Sequence, residues 1–252
     1  MSQRQTSLYR ATHQVSLGQV TLSYQTIGVG PPVVLIHGLL GSGRWWRHNL
    51  AALATHFQLH LIDLVGFGAS CGGQRFVLRD AAAQIAAWMD RVDLPRATLI
   101  GHSMGGLIAA EVAAAYPARI ERLVLVNAAT TPLGRNYLRH ACGLLGIVPA
   151  LRPSFLSVLV SDTLRAGPRT MLQAITQLLA ADATARLAAI EAPTLLVWGG
   201  RDTLIPLRVA EALTTQLRSA RLVLIPAAGH NPMWEQPNAF NQAVLAFLCE
   251  RA

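Results

Sequence analysis

ATLIGHSMGG, residues 97–106, is the stretch that decides the fold of this chain. An apolar run ends there at a Gly-x-Ser-x-Gly pattern, and a small, alanine-rich segment at 107–115 follows. The pattern predicts a buried strand, a very tight turn and a helix, with Ser103 at the apex in a strained conformation of positive φ. Gly101 and Gly105 lack a Cβ atom, so the strand and the helix can approach closely on either side. Such a turn lifts the Ser103 hydroxyl clear of the sheet.

Length and composition predict one large domain with a well-buried core. The chain has 252 residues, of which 52% are hydrophobic and 13% are charged, and this length suffices for a sizeable core. No uninterrupted apolar run reaches the roughly 18 residues that a membrane span needs. Residues 1–12 are polar and lack the apolar core of a signal peptide. We therefore expect a cytoplasmic protein without a membrane span.

The charge balance is basic, with a net charge of +8, and all 21 basic residues are arginine. A basic protein can bind nucleic acid or attract acidic partners. The arginines are spread along the chain without interleaved aromatic residues, and no nucleic-acid-binding module is recognisable. The sequence therefore predicts no nucleic-acid partner.

The cysteines and the glycine-rich loop indicate neither a metal site nor a cofactor site. Cys71, Cys142 and Cys249 lie far apart, without metal-ligand or disulfide spacing. The glycine-rich loop HGLLGSG at 37–43 lacks the Gly-Lys-Ser/Thr ending of a phosphate-binding loop. It also lacks the Gly-x-Gly-x-x-Gly pattern of a dinucleotide site.

Short apolar runs alternate with helical patterns along most of the chain. The first two runs alternate apolar and polar residues around a turn and predict an antiparallel hairpin at the sheet edge. The other runs are continuously apolar, as in strands that are buried on both faces of a parallel sheet. The predicted strands lie at residues 8–15, 20–26, 33–36, 59–62, 97–100, 122–127, 194–198 and 222–225. We expect an α/β fold with a mostly parallel eight-stranded sheet flanked by helices. A helix through about Thr55 should follow the loop at 37–43.

Residues 130–189 depart from this alternation and predict a helical cap inserted after strand six. The core would then comprise residues 1–129 and 190–252. The cap pattern is broken by glycines and prolines, and its apolar residues could line an acyl- or ring-binding pocket or pack the cap on the core. The cap is also basic, with Arg135, Arg139, Arg152, Arg165, Arg169 and Arg186 against Asp162 and Asp182.

Three side chains that could form a catalytic unit follow predicted strands. A serine hydroxyl needs a neighbouring base, and an imidazole base needs a carboxylate on its other nitrogen. Asp202 follows strand seven in Gly-Gly-Arg-Asp, and His230 lies in the loop after the last strand. Since carboxyl ends of parallel strands meet at one edge, we predict that Ser103, Asp202 and His230 are catalytic. Taken singly, Asp202 could instead cap the helix near Pro206, and His230 could be an ordinary loop histidine.

The strand, turn and helix at 97–115 resemble the nucleophile elbow of the α/β-hydrolases, and the resemblance covers essentially the whole chain. The order Ser103, Asp202, His230 is the order of that family. The resemblance also implies that the loop at 37–43 carries a second oxyanion donor, so that the backbone N–H groups of Leu39 and Met104 form the oxyanion hole. His37 would hold that loop in place.

The resemblance implies acyl transfer to water, as in a carboxylesterase that cleaves short to medium acyl esters. A serine nucleophile argues against haloalkane dehalogenases and epoxide hydrolases, which place aspartate at the elbow. Lactonases, perhydrolases and carbon–carbon bond hydrolases share the Ser-Met-Gly-Gly pattern and stay open as alternatives. A hydrolase-like receptor for a small molecule, which keeps the triad but works in signalling, is an alternative of another class. Candidate substrate-binding residues are Leu40, Trp45, Phe155, Leu159 and Trp234.

A second candidate enzyme resembles the methyl esterases of pimeloyl carrier protein in biotin synthesis. The stretch HFQLHLID at 56–63 and the basic cap are similar in character to theirs. A positive cap would steer an acidic carrier protein as partner. Against this, the arginines could reflect a compositional bias, and that family's elbow typically has tryptophan where His102 stands.

Overall fold

The computed structural model describes residues 11–130 and 153–250, and within them the chain forms one eight-stranded sheet. The strands are β1 Ala11–Leu17, β2 Val20–Ile27, β3 Pro32–Ile36, β4 Gln58–Asp63, β5 Ala97–His102, β6 Ile120–Val126, β7 Thr194–Gly199 and β8 Ala220–Ile225. Their order in the sheet is β1-β2-β4-β3-β5-β6-β7-β8. β2 pairs antiparallel with β1 and β4, and every other pair is parallel. The predicted mostly parallel eight-stranded sheet is confirmed.

Helices cover both faces of the sheet. They are α1 Leu50–Leu53, α2 Leu78–Arg91, α3 Met104–Ala115, α4 Pro153–Ala180, α5 Leu207–Gln216, α6 Pro232–Glu235 and α7 Pro237–Leu248. Short 3-10 turns lie at Gly43–Trp46, Gly68–Ser70, Pro117–Arg119 and Thr184–Ala189. None of the helices within 11–130 and 153–250 is long and apolar enough to cross a bilayer.

Two hydrophobic cores explain why the central strands are continuously apolar. In β3, the side chains of Val34 and Ile36 belong to the core that contains residues of α2, α3 and α5. Those of Val33 and Leu35 belong to the core that contains residues of α1, α6 and α7. Since successive side chains of a strand point to opposite faces, a strand between two cores needs apolar residues at every position.

The prediction of a helix through about Thr55 is wrong in its extent. The chain forms a 3-10 turn at Gly43–Trp46 and a single helical turn at Leu50–Leu53. Trp45 contacts Phe155 at a ring-centroid distance of 5.0 Å, whereas Trp46 contacts Phe240 at 6.2 Å. The two adjacent indoles therefore pack against different elements.

The described part of the predicted cap is helical. α4 is interrupted at Gly167, where φ is 75° and ψ is 162°, with Pro168 next in the chain. A Thr184–Ala189 turn then leads toward β7. Of the glycines and prolines that break the predicted cap pattern, Gly143, Gly146 and Pro149 lie outside the described residues. The division into a cap at 130–189 and a core stays a prediction.

The elbow has the predicted backbone. Ser103 has φ 52° and ψ −115°, a combination that is rare for a residue with a side chain. A Cβ atom on Gly101 would lie 2.3 Å from the carbonyl oxygen of Gly105. One on Gly105 would lie 2.4 Å from the carbonyl oxygens of both Ile36 and His37. Both positions therefore require glycine.

Gly105→Ala should destabilise the protein strongly, although alanine favours a helix more than glycine does. The added methyl would press on two backbone oxygens at 2.4 Å. Overpacking typically costs about 1–3 kcal/mol, and we expect a loss near the upper end because backbone atoms cannot move aside easily. Chemical denaturation would measure the loss in free energy of unfolding. Gly73→Ala is the control, since a Cβ atom on Gly73 would meet open space, and only its positive φ of 79° would penalise alanine, by about 1 kcal/mol. Equal losses in the two variants would show that the close approach is not the constraint.

Candidate active site

The three predicted catalytic residues follow three different strands, and the structure brings them together. Ser103 follows β5, Asp202 lies in the loop after β7, and His230 lies in the loop after β8. His230 Nε2 is 3.1 Å from Ser103 Oγ, and His230 Nδ1 is 2.8 Å from Asp202 Oδ2. Because a carboxylate can only accept, Nδ1 carries the proton and Nε2 is free to accept the hydroxyl proton of Ser103. This is the arrangement that activates a serine.

Asp202 is surrounded by hydrogen-bond donors. Its Oδ1 accepts the backbone N–H groups of Leu204 at 2.8 Å and Ile205 at 3.1 Å. Its Oδ2, which faces His230, also accepts the side-chain amide of Asn127. Burial raises the pKa of the Asp202 carboxyl, but His230 and these hydrogen bonds outweigh burial and leave the pKa below its usual value. Asp202 therefore accepts hydrogen bonds both from the turn before α5 and from His230.

Asn127 is the residue that sequence reasoning missed. It directly follows β6, is completely buried and has a positive φ of 42°. Its amide nitrogen donates to Asp202, and its Oδ1 accepts the N–H of Gly199 at 3.1 Å. Its place after strand six could have indicated this role, because that strand end adjoins the one that carries Asp202.

His102, which precedes Ser103, contacts His230 on the side away from Asp202. Its Nε2 donates to the carbonyl oxygen of His230 at 2.8 Å. Burial, followed by the nearby His230, lowers the pKa of His102 to about 3. The imidazole is therefore neutral at physiological pH and acts as a fixed donor that holds the His230 loop.

The loop predicted to carry the oxyanion donor lies against Ser103. A Cβ atom on Gly38 would be 3.2 Å from the Cβ of Ser103 and 2.8 Å from Nδ1 of His102, and Leu39 is the next residue. Met104 is the first residue of α3, so its N–H has no carbonyl in an earlier turn of that helix. The placement is compatible with the predicted hole, and the donor role of Leu39 and Met104 stays a prediction.

His37 holds the start of this loop. Its Nδ1 donates to the carbonyl oxygen of Gly38 at 2.7 Å, and its Nε2 accepts the N–H of Leu64 at 3.1 Å. Burial lowers the pKa of His37, although the charges of Asp63 and Asp162 oppose that shift. A neutral imidazole with one donor and one acceptor satisfies both bonds.

Three of the predicted substrate-binding side chains form an aromatic cluster. Phe155 of α4 contacts Trp45 at 5.0 Å and Trp234 at 4.9 Å, and all three are almost fully buried. Leu159 is half-buried against the same core, whereas Leu40 is half-buried against the other core and has a positive φ of 63°. The aromatic cluster packs α4 against the Gly43–Trp46 turn and α6, and contact of these five residues with a substrate stays a prediction.

Three of the six arginines predicted in the cap lie within the described residues, and three do not. Arg135, Arg139 and Arg152 lie outside the described residues. Arg186 pairs with Glu111 of α3, while Arg165 and Arg169 are exposed on α4. Asp162 is buried and pairs with Arg44.

Comparison with known sequences identifies a family of the same architecture. The chain matches the sequence model of the Alpha/beta hydrolase family over residues 33–243. It is 30% identical to a pimeloyl-[acyl-carrier protein] methyl ester esterase of Pectobacterium carotovorum subsp. carotovorum, over 90% of this chain and 98% of that protein. It is 32% identical to a RutD protein of Variovorax paradoxus, provisionally named a carbamate hydrolase, over 87% of this chain and 92% of that protein.

Solved structures agree with the fold. A hydrolase from Pseudomonas aeruginosa PA01 superposes with a TM-score of 0.82 at 27% identity, covering 95% of this chain and 98% of that one. An enol-lactonase from Burkholderia xenovorans LB400 has a TM-score of 0.83 at 24% identity, covering 94% of this chain and all of the other. The second likeness concerns the fold alone.

Asn127→Ala should shift the pH dependence of activity. Without the amide donor, Asp202 Oδ2 loses a bond that favours its ionised form, so the pKa of this carboxyl rises. The acid limb of the kcat/KM profile should move to higher pH, and the plateau should fall roughly tenfold. Steady-state assays between about pH 4 and pH 9 would measure both.

Asn49→Ala provides the matched control for this variant. Asn49 is equally buried, but its amide donates to Met233 and Asn241 and does not contact Asp202. This control should lose stability without moving the acid limb. An acid limb that stays in place in Asn127→Ala, or moves equally in both variants, would contradict the role given to Asn127.

Proposed function

The chain belongs to the α/β-hydrolase family, and from that membership we propose that it is a serine carboxylesterase for short to medium acyl esters. The observation that carries the proposal is the hydrogen-bonded row of Ser103, His230 and Asp202, with separations of 3.1 and 2.8 Å. Nucleophile, base and supporting acid all come from the chain itself. The proposed chemistry therefore calls for no metal and no cofactor.

The reaction begins at Ser103 Oγ. His230 Nε2 takes the hydroxyl proton as Oγ attacks the ester carbonyl carbon, while Asp202 stabilises the resulting imidazolium. The carbonyl oxygen becomes an oxyanion that accepts the N–H groups of Leu39 and Met104. His230 then gives its proton to the leaving alcohol, and an acyl group remains on Ser103. A water molecule, deprotonated by His230, releases the acid and restores the serine.

The acyl group is proposed to lie beside the aromatic cluster of Trp45, Phe155 and Trp234. This cluster and the half-buried Leu159 provide an apolar wall, which favours an acyl chain over a polar group. The names of the relatives support an ester or carbamate carbonyl as the electrophile. Lactone hydrolysis, perhydrolysis and carbon–carbon cleavage use the same nucleophile, and a substrate panel separates them.

A second candidate function is hydrolysis of a methyl ester carried by an acidic acyl carrier protein. The name of the Pectobacterium relative supports it, together with the exposed Arg165 and Arg169 on α4. Neighbouring positive charges of this kind raise the association rate of an acidic protein. The carrier protein would deliver the ester, and the chemistry at Ser103 would be unchanged.

Ser103→Ala should abolish turnover of p-nitrophenyl acetate, butyrate, octanoate and laurate. Loss of the nucleophile should lower kcat/KM by about a thousandfold or more. Ser157→Ala, at an exposed position of α4, is the control and should keep full activity. The preferred chain length measures the size of the acyl site.

Two outcomes would oppose this function. Unchanged hydrolysis in Ser103→Ala would contradict the mechanism. An inactive, folded wild-type protein that binds a partner when a ligand is added would instead favour a receptor.

The carrier-protein candidate predicts a substrate-dependent effect of charge reversal on α4. Arg165→Glu combined with Arg169→Glu should lower kcat/KM for a methyl ester on acyl carrier protein about tenfold or more at low salt. Hydrolysis of the free methyl ester should change less than twofold, and the difference should shrink as salt screens the charges. Arg218→Glu, in the turn between α5 and β8, is the matched control. Equal effects on the carried and free esters would exclude docking at α4.

A further inference from the structure

Asp162 is a buried carboxylate that the proposed mechanism does not use. It lies on α4 and is only 1% exposed. Its Oδ2 accepts the hydroxyl of Ser42 at 2.8 Å, and its Oδ1 pairs with the guanidinium of Arg44. Arg44 also donates to Ser161 Oγ at 3.1 Å. A charge removed from water persists only where such partners compensate it.

Both partners of Asp162 lie where the loop that carries Leu39 meets the Gly43–Trp46 turn. Ser42 is the last residue before the Gly43–Trp46 turn, and its Oγ accepts the N–H of Arg44 at 3.3 Å. The N–H of Gly43 donates to Asp63 Oδ1 at 2.7 Å. This end of the loop is therefore held by two carboxylates, Asp63 from β4 and Asp162 from α4.

The same face of α4 makes an apolar contact with this segment. Phe155 precedes Asp162 by seven residues, a spacing that places both on one side of a helix. Phe155 packs on Trp45, while Asp162 binds Ser42 and Arg44. Two side chains of α4, about two helical turns apart on the same face, thus contact residues 42–45.

We propose that Asp162 is a positioning residue through which α4 fixes the loop that supplies the Leu39 N–H to the oxyanion. The inference rests on the proposed function, because it assigns a use to that loop. Oxyanion donors are effective only when they are fixed before charge develops. When α4 is packed against residues 42–45, Asp162 holds Ser42. Leu39 is only three residues before Ser42, so its position is restrained as well. When α4 moves away, the loop loses that bond and the donor loses its fixed position.

The test compares Asp162→Asn, Asp162→Ala and Ser42→Ala with wild type. Asp182→Asn is the matched control, since Asp182 follows α4 and accepts from the N–H of Thr184 in its own turn. For p-nitrophenyl butyrate, kcat should fall roughly tenfold or more in Asp162→Ala, with KM changed less than about twofold. The inhibition constant of an aryl trifluoromethyl ketone should rise by the same factor, because its tetrahedral adduct on Ser103 uses the oxyanion donors. Asp162→Asn keeps an acceptor oxygen and should lose less.

Amide hydrogen exchange gives a readout that does not need activity. Exchange in residues 37–46 should be faster in Asp162→Ala and Ser42→Ala than in wild type, whereas exchange in residues 194–202 should be unchanged. If wild type cleaves no ester, the proposed function fails while exchange still tests the link between α4 and the loop. Ser42→Ala removes one hydroxyl and keeps the test valid if the Asp162 variants do not fold. Unchanged kcat and unchanged ketone inhibition in folded variants, with or without faster exchange, would overturn the proposal.

Discussion

At the start of α3, the backbone of Gly105 lies against the carbonyl oxygens of Ile36 and His37, so closely that a Cβ atom would be 2.4 Å from either. This contact fixes the helix against β3 and forces the reversal at Ser103, whose φ is 52°. The Ser103 hydroxyl consequently projects at the carboxyl edge of the sheet, where the loops after β7 and β8 bring Asp202 and His230. The site depends on this close packing of backbone on backbone, which only glycine permits.

Hydrogen bonds between residues at neighbouring strand ends hold Asp202 and His230 in place beside Ser103. Asn127 after β6 holds Asp202, Asp202 holds His230, and His102 after β5 holds the carbonyl of His230. Each of these side chains is buried, so water does not compete for its bond to a partner on a different element. The histidine is therefore held from two sides before any substrate arrives, which is the condition for efficient general-base catalysis.

Local patterns in the sequence were sufficient to predict the sheet and the three residues that meet at its edge. The strands have continuous apolar runs because two cores cover them, and the elbow has glycines because backbones touch there. Asn127 was missed although it directly follows strand six, because its role depends on a contact with Asp202, which lies in another loop. Asp162 could not be predicted in its role, because its partners Ser42 and Arg44 are far from it in the chain. The 3-10 turn at Gly43–Trp46 was also missed, since its two tryptophans are directed by packing against separate elements.

Ser103 is proposed to be a nucleophile that carries the acyl group between two half-reactions. Its most direct test is intact-mass and peptide mass spectrometry after rapid acid quenching of the protein with p-nitrophenyl butyrate. We expect a transient mass increase of one butyryl group, located on the peptide that contains Ser103, together with a burst of p-nitrophenol. Hydrolysis that proceeds without an acyl adduct on Ser103, or with the adduct on another residue, would contradict it.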